Sequence, residues 1–378
     1  MSPMSHTSLA ILAALLTNGC GDTSPPAERC EKPDLIFALS DASSSGFARW
    51  SVGHAPISTF GIELGRDAVL AKSRGSFFLL ARLEDRIFPM NATCGNLDAP
   101  FATKPATGLG NPQDLSLAKD GTRWVTLFDT PTVLGIDGTG NSVGAIDLAS
   151  LDDDGNPNAS GVLVVGDIGT ETLLVALERL DNRASKPEDY LQSTRPSALA
   201  RLDPRTRSIL SVSDLAGRNP FGAFVSSDGS LFLPTIGSVR FIDEADAGIV
   251  RIDEATLTST LVLDERALGG SATTLAFGDS CGAAVVLGPS PNNATTVVTF
   301  DKRTFEMRTT VADSPLTSDN FYFTALAFRG DKLFVGDKRK VDAGYAIQSL
   351  SIAADCTVKL DEPLLYFPLP AVGIESVP

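Results

Sequence analysis

Residues 219–237 read NPFGAFVSSDGSLFLPTIG, and beyond a polar insert residues 247–263 read AGIVRIDEATLTSTLVL. Phe224 and Val225 run into Ser-Ser-Asp228-Gly229, and a second apolar run, residues 230–233, follows directly. Residues 248–252 form a third run with alternating apolar positions, closed by Asp253-Glu-Ala-Thr256, and residues 257–263 form a fourth. Short runs separated by Asp-Gly and similar turn sequences read as antiparallel strands joined by tight connections. Four such strands within about fifty residues make one β-meander, a unit that cannot bury both of its faces alone.

The unit recurs. Leu199-Ala-Arg-Leu-Asp203-Pro-Arg-Thr206, Val250-Arg-Ile-Asp253-Glu-Ala-Thr256 and Val298-Thr-Phe-Asp301-Lys-Arg-Thr304 align without a gap, their aspartates 50 and 48 residues apart. Val133-Leu-Gly-Ile-Asp137-Gly is a looser fourth copy. Each aspartate opens a turn in which its carboxylate can accept a backbone N–H, so these are turn residues and not catalytic acids. First strands are expected to start near residues 67, 113, 161, 221, 272, 323 and 371. Residues 35–39 and 47–52 look like second and third strands with no first strand before them, whereas residues 372–377 look like a first strand with nothing after it. Joined, the two chain ends complete one unit and remove the open sheet edges of a linear array. The fold class expected is therefore all-β, a seven-bladed β-propeller closed by pairing of its N- and C-terminal strands. Six or eight blades are the alternatives.

Two stretches carry a resemblance. Asn111-Pro-Gln-Asp-Leu-Ser-Leu-Ala-Lys-Asp-Gly-Thr-Arg-Trp124-Val and Asn219-Pro-Phe-Gly-Ala-Phe-Val-Ser-Ser-Asp-Gly resemble the NHL/YVTN-type propeller repeat. The longer run with DDDGNPN, LVALERLDNR and RLDPRT is similar to uncharacterised propeller lipoproteins of δ-proteobacteria and myxobacteria. The resemblance implies a fold and hardly any chemistry, because propellers host lyases, lactonases, scaffolds and adhesion modules.

The chain ends and the charge set the compartment. Residues 9–16, LAILAALL, are too short to span a bilayer but sit where a signal-peptide apolar region sits. Leu16-Thr-Asn-Gly-Cys20 resembles a bacterial lipobox, although no Lys or Arg precedes the apolar run and the leucine is displaced by one position. Residues 1–19 are read as a lipoprotein-type signal peptide, with Cys20 lipidated, residues 20–32 as a polar tether and residues 33–378 as the propeller. An ordinary cleaved leader is the alternative. An outer-membrane lipoprotein facing the periplasm or the cell surface is the expected localisation, held to the membrane by its lipid alone, and a monomer. Net charge is −15, which repels phosphate backbones, so nucleic acid is not an expected partner.

Candidate sites are few. The chain has two histidines, His6 in the leader and His54 in a Gly-Pro-flanked turn, and no nucleophile-elbow, zincin or P-loop pattern. Tyr and Trp number 4 and 2, which disfavours aromatic sugar platforms. Asp152, Asp154, Asn156 and Asn158 place oxygen ligands at alternate positions around Gly155, a pattern that suits calcium. The spacing is not that of an EF-hand, and Asp-Gly-Asn-Pro is already a strong turn sequence. Calcium is thus the one cofactor the sequence offers, and a solvated turn is the alternative. In a propeller the fourth-to-first and second-to-third connections emerge on one face. The Asp152 loop, the insertion at residues 179–196, the insertion at residues 236–247 and Lys338-Arg339-Lys340 all fall there. Arg179, Asp181, Arg183, Arg240, Asp243, Lys338 and Arg339 are the binding face expected from this, since long loops on a rigid scaffold commonly carry function.

The four other cysteines allow three pairings. Topology favours Cys30 with Cys94 and Cys281 with Cys356, because each pair then joins adjacent blades on the same face, and an exported chain can hold such bonds. The function expected is a binding or scaffold module of the cell envelope that recognises a protein or glycan. The alternative is a Ca²⁺-dependent hydrolase similar to the lactonase propellers. For that reading the channel-side strand ends offer Asp114, Asp167 and Glu375, without a matching motif.

Overall fold

The computed structural model describes residues 32–61, 64–91, 97–105, 108–183, 195–237, 246–288 and 293–377. Cys20, Cys30, Cys94, Arg240 and Asp243 lie outside the described residues, as do the leader and most of the tether. The strands assemble into seven antiparallel sheets around one axis. Their innermost strands are Ala68–Ser73, Pro112–Leu117, Ala159–Val165, Val225–Ser227, Ser271–Phe277, Phe323–Arg329 and Ala371–Ser376. The first six of these open the blades numbered one to six, and the seventh opens the seam blade. There Ala371–Ser376 pairs with Leu35–Ser40, from Leu35 opposite Ser376 to Leu39 opposite Ala371. Ser45–Trp50 and Ile57–Gly61 complete that blade. The fold is a seven-bladed β-propeller closed by its chain ends, as the repeat spacing predicts.

Packing explains why the strands differ in composition. Seven apolar clusters fill the seven interfaces between neighbouring blades, so the ring has no interface left open. A second strand is covered on both faces, and Thr172–Leu177 and Cys281–Leu287 are accordingly near-continuous apolar runs. Outermost strands meet water, and Ser208–Asp214 is exposed along most of its length.

Three details depart from the expectations. The innermost strand of blade four begins at Val225 and not near residue 221. Pro220 makes an isolated bridge to Thr235, but Gly222, at φ +90°, turns the chain out of the ladder before pairing resumes. The outer strand of blade six is split into Val358–Leu360 and Leu365–Phe367, which pair with opposite ends of Gly344–Ile352. One α-helical turn, Glu265–Leu268, follows the last strand of blade four; Asp264 caps it by accepting the Ala267 N–H at 2.8 Å.

Among the described cysteines, Cys281 and Cys356 are bonded, with Cα atoms 5.5 Å apart. Cys281 opens the second strand of blade five and Cys356 sits in the third-to-fourth connection of blade six. The bond therefore ties adjacent blades on the expected face. The repeated aspartates are turn formers: Asp203 accepts the Arg205 and Thr206 N–H groups, Asp253 that of Thr256, and Asp301 those of Arg303 and Thr304.

Candidate functional site at the mouth of the channel

The face that carries the fourth-to-first and second-to-third connections opens into a cavity of about 830 Å³. Its walls come from all six complete blades, from residues at or beside the start of an innermost strand or the end of a second strand. Phe128, Phe221 and Phe321 line it together with Leu180, Ile236 and Leu287, and Phe221 keeps 41% of its surface exposed. The same residues Asp67, Arg82, Gln113, Glu178, Phe221 and Phe321 also line a narrower throat of about 350 Å³ below, which Lys338 and Asp114 join.

The polar groups of the mouth are unequally committed. Arg82 donates to the Asp67 carboxylate at 2.6 Å and to the Gln113 amide oxygen at 2.9 Å, and Gln113 in turn donates to Asn111 at 2.8 Å. That chain fixes the guanidinium as a wall. Glu178 is buried where the second strand of blade three ends, and burial pushes its carboxyl up to about 8. Asp114 is buried in the innermost strand of blade two. Burial raises its carboxyl to about 7, opposed by hydrogen bonds from the Val162 and Leu115 N–H groups. Lys338-Arg339-Lys340, expected in a connection, lies instead within the second strand of blade six, which runs Lys332–Val341 and pairs on to Gly344; from there Lys338 reaches the throat, its ammonium 5.3 Å from the centre of the Phe321 ring.

The residues expected on the binding face are distributed less simply. Arg179 is buried: its guanidinium donates to the Pro196 carbonyl at 2.9 Å and lies 3.8 Å from Asp214, so it closes the base of its own loop and does not face solvent. Asp181 and Arg183 pair with each other on the exposed rim. Arg339 lies over the Phe323 ring and is bound to Asp337 at 2.6 Å, leaving Lys338 as the member of that basic run which faces the channel.

Asn182, which composition alone does not distinguish, joins the Asp152 loop to the connection of blade three. Its backbone N–H and its amide both donate to Asp154, and its amide also donates to the Asn156 carbonyl and the Asn158 side chain. Asp153 pairs with Arg195 beside it. Asp152 accepts the N–H of Asp153, Asp154 that of Asn156, and the Asn156 and Asn158 amides donate to the Phe128 carbonyl. One oxygen of Asp152 and the side-chain oxygens of Asp154, Asn156 and Asn158 thus accept N–H donors, and no group of three or more His, Cys, Asp or Glu gathers among the described residues. Asp114, Asp167 and Glu375 do not come together either. Asp167 is in the first-to-second turn of blade three, on the opposite face, paired with Lys119; Glu375 ends its strand there and pairs with Lys72 at 3.0 Å.

No protein-family description matches the chain, and no curated protein matches it. Solved structures do match. Streptogramin B lyase aligns over 90% of this chain and 90% of its own, at 13% identity and a TM-score of 0.50. The dihydro-heme d1 dehydrogenase NirN in complex with DHE aligns over 93% of this chain and 77% of its own, at 12% identity and a TM-score of 0.53. The WD40 repeats of RRP9 align over 90% and 88%, at 9% identity and a TM-score of 0.54. These likenesses show the fold. At such identities a lyase, a dehydrogenase and a set of WD40 repeats say nothing about the role of the mouth of this propeller.

The carboxyl groups predict a pH profile. Asp137 is held down to about 2 by the Thr139 hydroxyl and the Asn141 N–H, and is thus more acidic in the fold than in the open chain. Asp203, Asp253 and Asp301 are lowered in the same way by the backbone N–H groups they accept. Their contribution is present above the ordinary carboxylate range and is lost as pH falls through the lowered values. Asp114 and Glu178 act in reverse: the fold favours their protonated forms, so their contribution is complete below about pH 4 and is lost as pH rises through about 7 and 8. The unfolding free energy from urea titration should therefore peak at about pH 4–5 and decline toward pH ~8, by a change on the order of a few kcal/mol. Glu178→Gln, which keeps the neutral shape, should flatten that decline, and an unchanged slope in the variant would remove Glu178 from the account.

Proposed function

We propose that this protein is an exported, lipid-anchored β-propeller that serves as a binding or scaffold module of the cell envelope and holds its ligand at the channel mouth. The observation that carries the reading is the mouth itself: a cavity of about 830 Å³, walled by six blades, with three phenylalanines and a few fixed polar groups. That volume and that mixture of apolar wall and convergent polar groups are those of small-molecule and side-chain pockets. The anchor rests on Gly19-Cys20 after an apolar leader and before the polar run GDTSPPAE. A calcium-dependent hydrolase would have to draw on Asp152 and Asp154, each of which accepts an N–H donor, and stoichiometric calcium in purified protein would be its support.

Two measurements test the reading. Cys20→Ser should move the protein from the membrane fraction to the soluble extract, and unchanged detergent partitioning of that variant would count against the anchor. The neutral fluorophore N-phenyl-1-naphthylamine should bind the purified propeller at one site, and Phe221→Asp, at an exposed wall position, should abolish that binding. Equal binding by the variant would place the ligand site elsewhere.

A further inference from the structure

We infer that the mouth selects an amphiphile with a single anionic head, its apolar body lying among Phe128, Phe221 and Phe321 and its carboxylate or equivalent head directed down the throat to Lys338. The inference rests on the proposed binding role of the mouth and adds the chemical class and orientation of what it binds.

Three observations carry it. First, the cations of the throat are not equivalent. Arg82 is held by Asp67 and Gln113, and Arg339 by Asp337, whereas the Lys338 ammonium makes no ion pair or hydrogen bond among the described residues and has the face of Phe321 beside it. An ammonium has three donors to satisfy, and a partly desolvated one without an acceptor is costly until an anion arrives. Second, the cation shares its cavity with the aromatic wall of the mouth, since Phe221 and Phe321 line both the mouth and the throat that Lys338 joins. A ligand that reaches it must bring apolar surface against those phenylalanines. Third, the acids that share the throat with Lys338 are engaged elsewhere or pushed toward their protonated forms: Asp67 is bound by Arg82, Glu375 pairs with Lys72, and burial raises the Asp114 carboxyl to about 7 and the Glu178 carboxyl to about 8. Burial also draws the Lys338 ammonium below its ordinary pKa, with Asp67 opposing and Arg82 adding to the effect, and a bound anion would reverse that cost. With one uncommitted cation, one anionic head is the match.

The test compares two probes that share an aromatic body. 1-Anilinonaphthalene-8-sulfonate carries one anionic head, and N-phenyl-1-naphthylamine carries none. The purified propeller should bind the sulfonate at one site and at least tenfold more tightly than the neutral probe. Lys338→Met should remove that preference, lowering sulfonate affinity about 10- to 100-fold, the range for a charge-assisted hydrogen bond, while neutral-probe binding stays within threefold. Lys338→Arg should retain most of the preference, which separates loss of charge from loss of fold. A wild-type protein with no preference for the sulfonate, or a Met variant that keeps it, overturns the inference. Failure of the neutral probe to depend on Phe221 would instead remove the mouth as the binding site.

Discussion

Deletion of residues 371–378 should abolish cooperative folding. Ala371–Ser376 is the innermost strand of the seam blade, and without it Leu35–Ser40, a strand buried at every position, becomes an open edge. The deletion also removes Ala371, Ile374 and Val377 from the packing between the seam blade and its two neighbours. Arg329 loses the Val377 carbonyl while keeping Asp34, so its tie across the seam is weakened. Burying an isoleucine is worth about 2 kcal/mol, and each backbone hydrogen bond of the lost ladder about 1 kcal/mol. Together these approach the whole stability of an ordinary domain, roughly 5–15 kcal/mol. Circular dichroism with size-exclusion chromatography should show no sharp thermal transition and a heterogeneous, aggregating product. A truncated chain that melted cooperatively within a few degrees of the full one would mean that six blades suffice and the seam is ornamental. Ile374→Asp, which places a charge in the same interface, should reproduce most of the loss while leaving the chain length intact.

Removing the Cys281–Cys356 bond should cost about 4 kcal/mol and lower the melting temperature by roughly 5 °C. The two cysteines are 75 residues apart in sequence, so the bond restrains a long loop of the unfolded chain. Both are buried in the cluster that joins blades five and six, beside Phe328 and Leu333. Substitution of both by alanine separates the two contributions. If the restraint on the unfolded chain dominates, the double variant should unfold at lower temperature with little change in unfolding rate. If packing dominates, unfolding should also accelerate. A double variant with an unchanged melting temperature would show that the bond adds nothing to the blade interface.

Both predictions concern features that the residues themselves make legible. The orphan strand pattern at residues 35–52 and the lone strand after residue 371 can be matched because strand alternation and turn chemistry are local signals. The disulfide follows once the blade register is known, since it needs only the face on which each connection emerges. The interruption at Phe221-Gly222-Ala223 is less legible, because its apolar residues suit a strand and only the positive φ of Gly222 breaks the ladder. The mouth is hidden for a different reason. Phe128, Phe221 and Phe321 stand at the same end of blades two, four and six, but nothing local separates a phenylalanine on a channel wall from one in the core. Long polar loops direct attention outward, to Arg179 and Asp181, whereas the uncommitted cation lies nearer the axis. The Asp152 loop reads as a cation site because oxygen donors at alternate positions serve a metal and a hydrogen-bonded turn equally well; Asn182, contributed by another connection, donates to Asp154 and Asn158 there and carries no local signal of that role.

The innermost strands carry one more consequence. Each has an edge with no strand beside it, and on one side of the ring a side chain from the preceding blade takes up the amide left over. Ser40 accepts from Ala68, Ser73 from Leu117, Asp114 from Val162 and Ser116 from Val164, at 2.8–3.0 Å. The partners of these four amides lie in a different sheet from their own. Their exchange with deuterium consequently reports the parting of two blades, while amides within the ladders report the melting of one. From the seam to blade three, the molecule contains its own gauge of whether the ring opens before its sheets come apart.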